Sequence, residues 1–248
     1  MKSAAEICHL VGRTLLAVES WLLRWIFHPL YHLVWPRQCP MCNRVLRMDE
    51  EHICNHCITR LPKTEEGCHR DNRLECLFSA DDKFNRGAAF CFYPKEHPFR
   101  HAIQAMKFDS QPELGEFLGR MAAEEWKDSG FFDGIDCLMP LPLHWKRYIR
   151  RGYNQAEWIA RGISEVTGIP IDTTHMKRIE NNSQQSQKSL EERRQLGQIF
   201  AINKPEELRG KHVLLIDDVV TSGSTMQRAM AVLHPIYKCH YSIFSLAI

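Results

Sequence analysis

Val213-Leu214-Leu215-Ile216-Asp217-Asp218-Val219-Val220-Thr221-Ser222-Gly223-Ser224-Thr225 decides the reading of this chain, because four apolar residues run into two carboxylates and then a small, hydroxyl-rich loop. The apolar run does not alternate, as expected of a parallel strand buried on both faces, and the strand should be central. Ligands of open α/β sheets bind beyond the carboxyl ends of such strands, so Asp217 and Asp218 arrive where a ligand would sit. From Thr221 to Thr225, successive backbone N–H groups, unobstructed at Gly223, join the hydroxyls of Thr221, Ser222, Ser224 and Thr225 and lead into a helix starting near Ser224. Such a loop suits a phosphate dianion. Two carboxylates facing the same phosphate would repel it, which leaves a pair of ribose hydroxyls as their partner. A 5-phosphorylated ribose satisfies both ends. The other reading is an ordinary strand, turn and N-capped helix. A P-loop is excluded because no Gly-Lys-Ser/Thr ending follows, and GxGxxG is absent.

The pattern resembles the phosphoribosyl pyrophosphate (PRPP) signature of type I phosphoribosyltransferases. A length of 248 residues with 44% hydrophobic content accommodates one sizeable α/β domain and a small appendage. The formal charge of +2 is nearly neutral, so a nucleic-acid surface must come from a local patch.

Ten cysteines raise the question of disulfides, but Lys2, Glu6, His9 and Arg13 interrupt the start of the chain and no secretory h-region follows. A reducing, cytoplasmic setting is expected. The greasy stretch from Thr14 to Trp35 is broken by Glu19, Arg24, His28, Pro29 and His32, too early for a membrane span. Residues 1–36 therefore read as an amphipathic helical segment. Its Trp21, Trp25, Phe27 and Tyr31 face a membrane surface, a partner, or a neighbouring zinc module.

That module is predicted over 37–78. Cys39-Pro40-Met41-Cys42 and Cys54-Asn55-His56-Cys57 form two CxxC knuckles, and four thiolates close a tetrahedron around zinc. With no open position left, the zinc is structural. Cys68, His69 and Cys76 match no closed site, and Cys8, Cys91, Cys137 and Cys239 read as buried thiols.

Residues 79–248 are expected to form the main domain. Arg86 to Tyr93 reads as a strand, and Pro98 to Phe108 as a helix with Phe99, Ile103 and Met106 on one face. A second helix follows from Pro112 to about Trp126. Asp136 to Pro140 reads as a buried strand, followed by a basic turn carrying Lys146, Arg147, Arg150 and Arg151. Cations there suit a departing pyrophosphate, or form a solvated face. A helix from Tyr153 or Asn154 buries Ala156, Ile159, Ile163 and Val166 and ends at Gly168 and Pro170. Asn181 to Arg194 reads as a polar surface loop, either a lid with Gln185, Lys188 and Arg193 or a plain linker. Tyr241 to Ile248 reads as a terminal edge strand, which leaves base recognition to the N-terminal half or to nothing.

Together the paired knuckles, Pro140-Leu141-Pro142-Leu143-His144, Arg151-Gly152-Tyr153-Asn154-Gln155-Ala156, the Gln185-to-Arg193 loop and the Asp217-Asp218 motif resemble the ComF family of competence-associated, phosphoribosyltransferase-like proteins. The resemblance covers nearly everything after Pro36. It implies an α/β fold: a type I phosphoribosyltransferase-like parallel sheet flanked by helices, with a small N-terminal four-cysteine module. It also implies PRPP binding and a role with incoming single-stranded DNA. In an enzyme of this kind, Mg²⁺ accompanies PRPP, and Asp217 and Asp218 hold the ribose. Val219 and the Thr221-to-Thr225 loop hold the 5-phosphate, Lys146 and Lys188 assist, and Arg147 and Arg151 neutralise the pyrophosphate displaced by a nitrogen acceptor. The alternatives are a non-catalytic module binding single-stranded DNA, a helicase or a recombination protein, and a PRPP-sensing regulator.

Overall fold

The computed structural model describes residues 36–179 and 199–248. The amphipathic segment with its aromatic residues and Cys8, and the loop carrying Gln185, Lys188, Arg193 and Arg194, lie outside the described residues. The chain divides into two compact units after Ile58.

In the first unit, residues 36–58 place both knuckles around a small centre where Cys39, Met41, Ile53 and Cys54 are buried. The second knuckle runs into α1 (Asn55–Ile58). Glu50 ties the knuckles together: its carboxylate accepts from the Arg47 and Asn55 backbone N–H groups, both at 2.8 Å, and from Arg44 at 3.0 Å. The two backbone donors hold the Glu50 carboxyl below its ordinary range.

The second unit opens with α2 (Arg73–Phe78), capped by Asn72, whose side chain accepts from the Glu75 N–H. Leu74 and Phe78 of this helix enter the core of the sheet domain. Glu75 pairs with the buried Arg86 at 3.2 Å. Residues 59–78 are thus part of the second compact unit.

The sheet comprises β1 (Phe84–Cys91), β2 (Cys137–Pro140), β5 (His212–Val219) and β6 (His240–Ala247) in the order β1-β6-β5-β2, every pair parallel. Between β1 and β2 run α3 (Phe99–Phe108) and α4 (Glu113–Trp126); after β2 come α5 (Trp145–Arg151) and α6 (Gln155–Thr167). A separate antiparallel pair, β3 (Met176–Arg178) with β4 (Phe200–Ile202), precedes β5, and α7 (Ser224–Leu233) links β5 to β6. As expected, β5 is interior, and Val213 to Ile216 have no exposed surface. Val213 and Leu215 pack with Met226, Met230 and Leu233 of α7. On α4, Trp126 meets Phe90 and Phe244 edge-on at 5.8 Å. Gly119 and Gly162 let α4 and α6 touch through their backbones, since a Cβ at Gly162 would stand 2.0 Å from the Glu116 carbonyl oxygen.

Three expectations change. The terminal strand is not an edge: β6 pairs with both β1 and β5 and is buried along nearly its whole length. The basic turn after β2 is a helix, started by His144, whose ring accepts the Lys146 N–H, and stopped by Gly152 at φ 80°. Cys137 is only partly buried, whereas Cys91 and Cys239 are fully buried as expected. Among the described residues no helix is long and apolar enough to cross a membrane.

Candidate functional site

Parallel strands deliver their C-terminal ends to one rim, and the loops after β1, β2 and β5 meet there around a cavity of about 410 Å³. From β5 come Asp217, Asp218 and Val219, and from the following loop Thr221 and Thr225. Arg147 of α5, Arg151 at its end, and the Asn154-Gln155-Ala156 start of α6 form another wall. Ser222, Gly223 and Ser224 line a small adjoining pocket of about 30 Å³ with Asp217, Val219, Thr221 and Thr225. The loop residues therefore line one small concavity at the N-terminus of α7. Lys146 does not join it: its ammonium lies exposed, 5.5 Å from the Trp145 ring. Lys188 lies outside the described residues.

Lys107, Arg178 and Tyr93 line the cavity although no sequence pattern marks them. Lys107 Nζ stands 3.0 Å from Asp218 Oδ2, both side chains largely buried. A cation in the last turn of a helix is ordinary, so Lys107 carries no signal of its own. Arg178 sits on a three-residue strand, 5.5 Å from the Phe200 ring, too short a context for periodicity to expose it.

Four cations, Lys107, Arg147, Arg151 and Arg178, line the cavity together with the two carboxylates. Burial pulls the Arg178 and Arg151 guanidinium groups below their usual values, with Arg147 adding to the effect on both. They remain charged, so the wall is rich in positive potential. Asp217 behaves oppositely. Burial and then the neighbouring Asp218 carboxylate push its carboxyl up to about 7, although the Asp218 N–H donates to it at 2.9 Å.

Gly223 holds φ +73°, and an added Cβ would lie 2.9 Å from the Phe78 ring beneath the loop. Gly223→Ala is expected to cost about 2 kcal/mol, combining left-handed backbone strain with overpacking. Urea unfolding measures the loss; the double variant with Phe78→Leu should recover only the packing share. A cost below about 0.5 kcal/mol would show that the loop is not held in this shape.

In the first unit, the four sulfurs of Cys39, Cys42, Cys54 and Cys57 lie within 4.8 Å of one another, with Cys42 Sγ and Cys54 Sγ 3.7 Å apart. A zinc tetrahedron with bonds of about 2.3 Å has edges of roughly 3.8 Å, so the set fits the metal. Cys68, His69 and Cys76 form no such group among the described residues, and Cys68 and Cys76 are exposed.

Two family descriptions match the chain: a double zinc ribbon domain over residues 30–74 and a phosphoribosyl transferase domain over 150–243. Competence protein F of Haemophilus influenzae is 28% identical over 87% of this chain and 92% of its own length. Competence protein ComFC of Streptococcus pneumoniae is 26% identical over 82% and 90% respectively. The chain is similar to both ComF proteins along most of its length. A third relative, DNA utilization protein YhgH of Salmonella typhimurium, is 27% identical over 78% of this chain and 89% of its own length. The chain is also similar to the glutamine PRPP amidotransferase of B. subtilis complexed with ADP and GMP, with 18% identity and a TM-score of 0.42 over 58% of this chain; it spans 30% of that structure. The larger unit has the type I phosphoribosyltransferase-like fold, and the four-cysteine module is a structural zinc site. The second metal that a double ribbon implies has no matching cysteine set among the described residues.

Proposed function

We propose that this protein is a ComF-family member that binds PRPP with Mg²⁺ and transfers its phosphoribosyl group to a nitrogen acceptor during the cytoplasmic handling of incoming single-stranded DNA. The observation that carries the proposal is the joining of a carboxylate pair and four cations in one cavity, with the small-residue loop lining that cavity and the small pocket beside it. Val219 and the Thr221-to-Thr225 loop hold the 5-phosphate at the α7 N-terminus, while Asp217 and Asp218 accept the ribose hydroxyls. Arg147, Arg151 and Arg178 face the pyrophosphate and stabilise its growing charge as it leaves. Mg²⁺ arriving with PRPP would supply further neutralisation of the pyrophosphate. A carbon–nitrogen bond forms at the anomeric carbon as the bond to pyrophosphate breaks. Pyrophosphate takes the electron pair, and the acceptor's proton passes to water.

Calorimetric titration of PRPP·Mg²⁺ tests the binding step. Asp218→Asn should weaken affinity about ten- to hundredfold, the worth of a charge-assisted hydrogen bond and a lost ion pair. Pyrophosphate release, screened against bases, amines and single-stranded DNA, tests the transfer. Unchanged affinity in the variant would sink the site assignment.

A second reading is favoured by α5. None of its residues is buried, and Trp145, Lys146, Arg147, Tyr148 and Arg150 make a basic, aromatic surface beside the cavity. Such a surface suits the backbone and bases of single-stranded DNA. DNA binding that falls steeply with salt, without pyrophosphate release, would support a recognition module instead of an enzyme.

A further inference from the structure

We infer that Tyr153 is a positioning residue, whose hydroxyl grips the end of α3 and so sets Lys107 against Asp218. The last carbonyls of a helix have no partner within it. In α3 one of these, Met106 O, accepts from the Tyr153 hydroxyl at 2.8 Å. The next residue is Lys107, 3.0 Å from Asp218, and the one after it is Phe108, whose ring lies 5.0 Å from the Arg151 guanidinium and 5.7 Å from that of Arg150.

The same short turn reaches other walls of the cavity. Asn154 donates to Leu141 O at 3.0 Å, which ties down the segment after β2, and accepts from the Ala156 N–H at the start of α6. Gln155 Oε1 accepts from Arg151 Nη1 at 2.8 Å. Residues 151–155 therefore tie the end of α3 and the segment after β2 to the start of α6. A lysine at a helix end has a long, mobile side chain, and fixing the helix end restricts where its charge falls. A hydrogen bond to the carbonyl of the preceding residue is a direct means of doing so.

This inference stands whatever the cavity binds, because its readout needs no ligand. Asp217 faces the charges of Asp218, Lys107 and Arg178, and Lys107 opposes the upward shift of its carboxyl. The test is a carboxyl ¹³C titration of Asp217 in the full chain, assigned by the signal lost in Asp217→Asn. Lys107→Met should raise the midpoint by about one pH unit, as loss of a nearby opposite charge does. Tyr153→Phe keeps the ring and should move the midpoint the same way by about half a unit. A lowered melting temperature with an unmoved midpoint would make Tyr153 a space-filling residue and overturn the inference. No shift in Lys107→Met would overturn it as well. Should Tyr153→Phe not fold, Phe108→Leu, at a half-exposed position on the same helix end, takes its place: a raised midpoint supports the inference and an unmoved one overturns it. A failure to bind PRPP would leave these results untouched.

Discussion

Removal of zinc by a chelator, or the change Cys54→Ala, unfolds residues 36–58 while the sheet unit keeps its own cooperative transition. Within 36–58 the buried apolar side chains other than cysteine are Met41 and Ile53. Burying two such residues supplies roughly 3–6 kcal/mol, whereas ordering some twenty residues costs several times that. The four thiolates supply the largest favourable contribution, because zinc-finger peptides gain about 10–16 kcal/mol from metal binding. Hydrogen exchange resolved by peptide should show loss of protection from Cys39 to Cys57 and little change across β5 and β6. Metal analysis should return about one zinc per chain, since Cys68 and Cys76 join no second cluster among the described residues. Retained protection in the metal-free protein would show that the module does not depend on its metal.

Asp217→Asn stabilises the protein at pH 8 and does so far less at pH 5. In the folded chain the Asp217 carboxyl keeps its proton up to about 7, whereas an unfolded chain releases it near about 4. Between those values the native state binds more protons, so stability falls as pH rises, and the loss is complete above about 7. At roughly 1.4 kcal/mol per unit, three units set a ceiling of about 4 kcal/mol, reduced by relaxation around the pair. Asparagine carries no charge to desolvate and does not repel Asp218. Urea unfolding at the two pH values gives the comparison. An equal gain at both, or a loss at pH 8, would mean that the carboxyl is not held in its neutral form. Gained stability together with weakened PRPP binding would mark Asp217 as a group kept at a cost to the fold.

The same residue shows where local pattern stops. Asp217 and Asp218 stand together at the end of a greasy run, but nothing in that run shows which one faces a cation. Lys107 lies 111 positions before Asp218, and their pairing exists only because α3 ends beside β5. Arg178 and Tyr93 reach the cavity in the same manner, each from its own segment. Lys146 illustrates the converse. It shares a basic run with Arg147 and Arg151, yet once the run coils into α5 it points elsewhere, since neighbours in a helix diverge by about 100°.

The sequence by itself determined the parallel strand, the small-residue loop after it, the paired knuckles and most of the helices. These depend on short-range facts: an unbroken apolar run, CxxC spacing, a glycine in a left-handed turn, and a repeat near 3.6. Tertiary structure alone decided that β6 is interior, that residues 59–78 belong to the sheet unit, and which cations enter the cavity. Strand order and charge pairing depend on which distant segments become neighbours, and an apolar strand or a lysine looks the same before that choice is made.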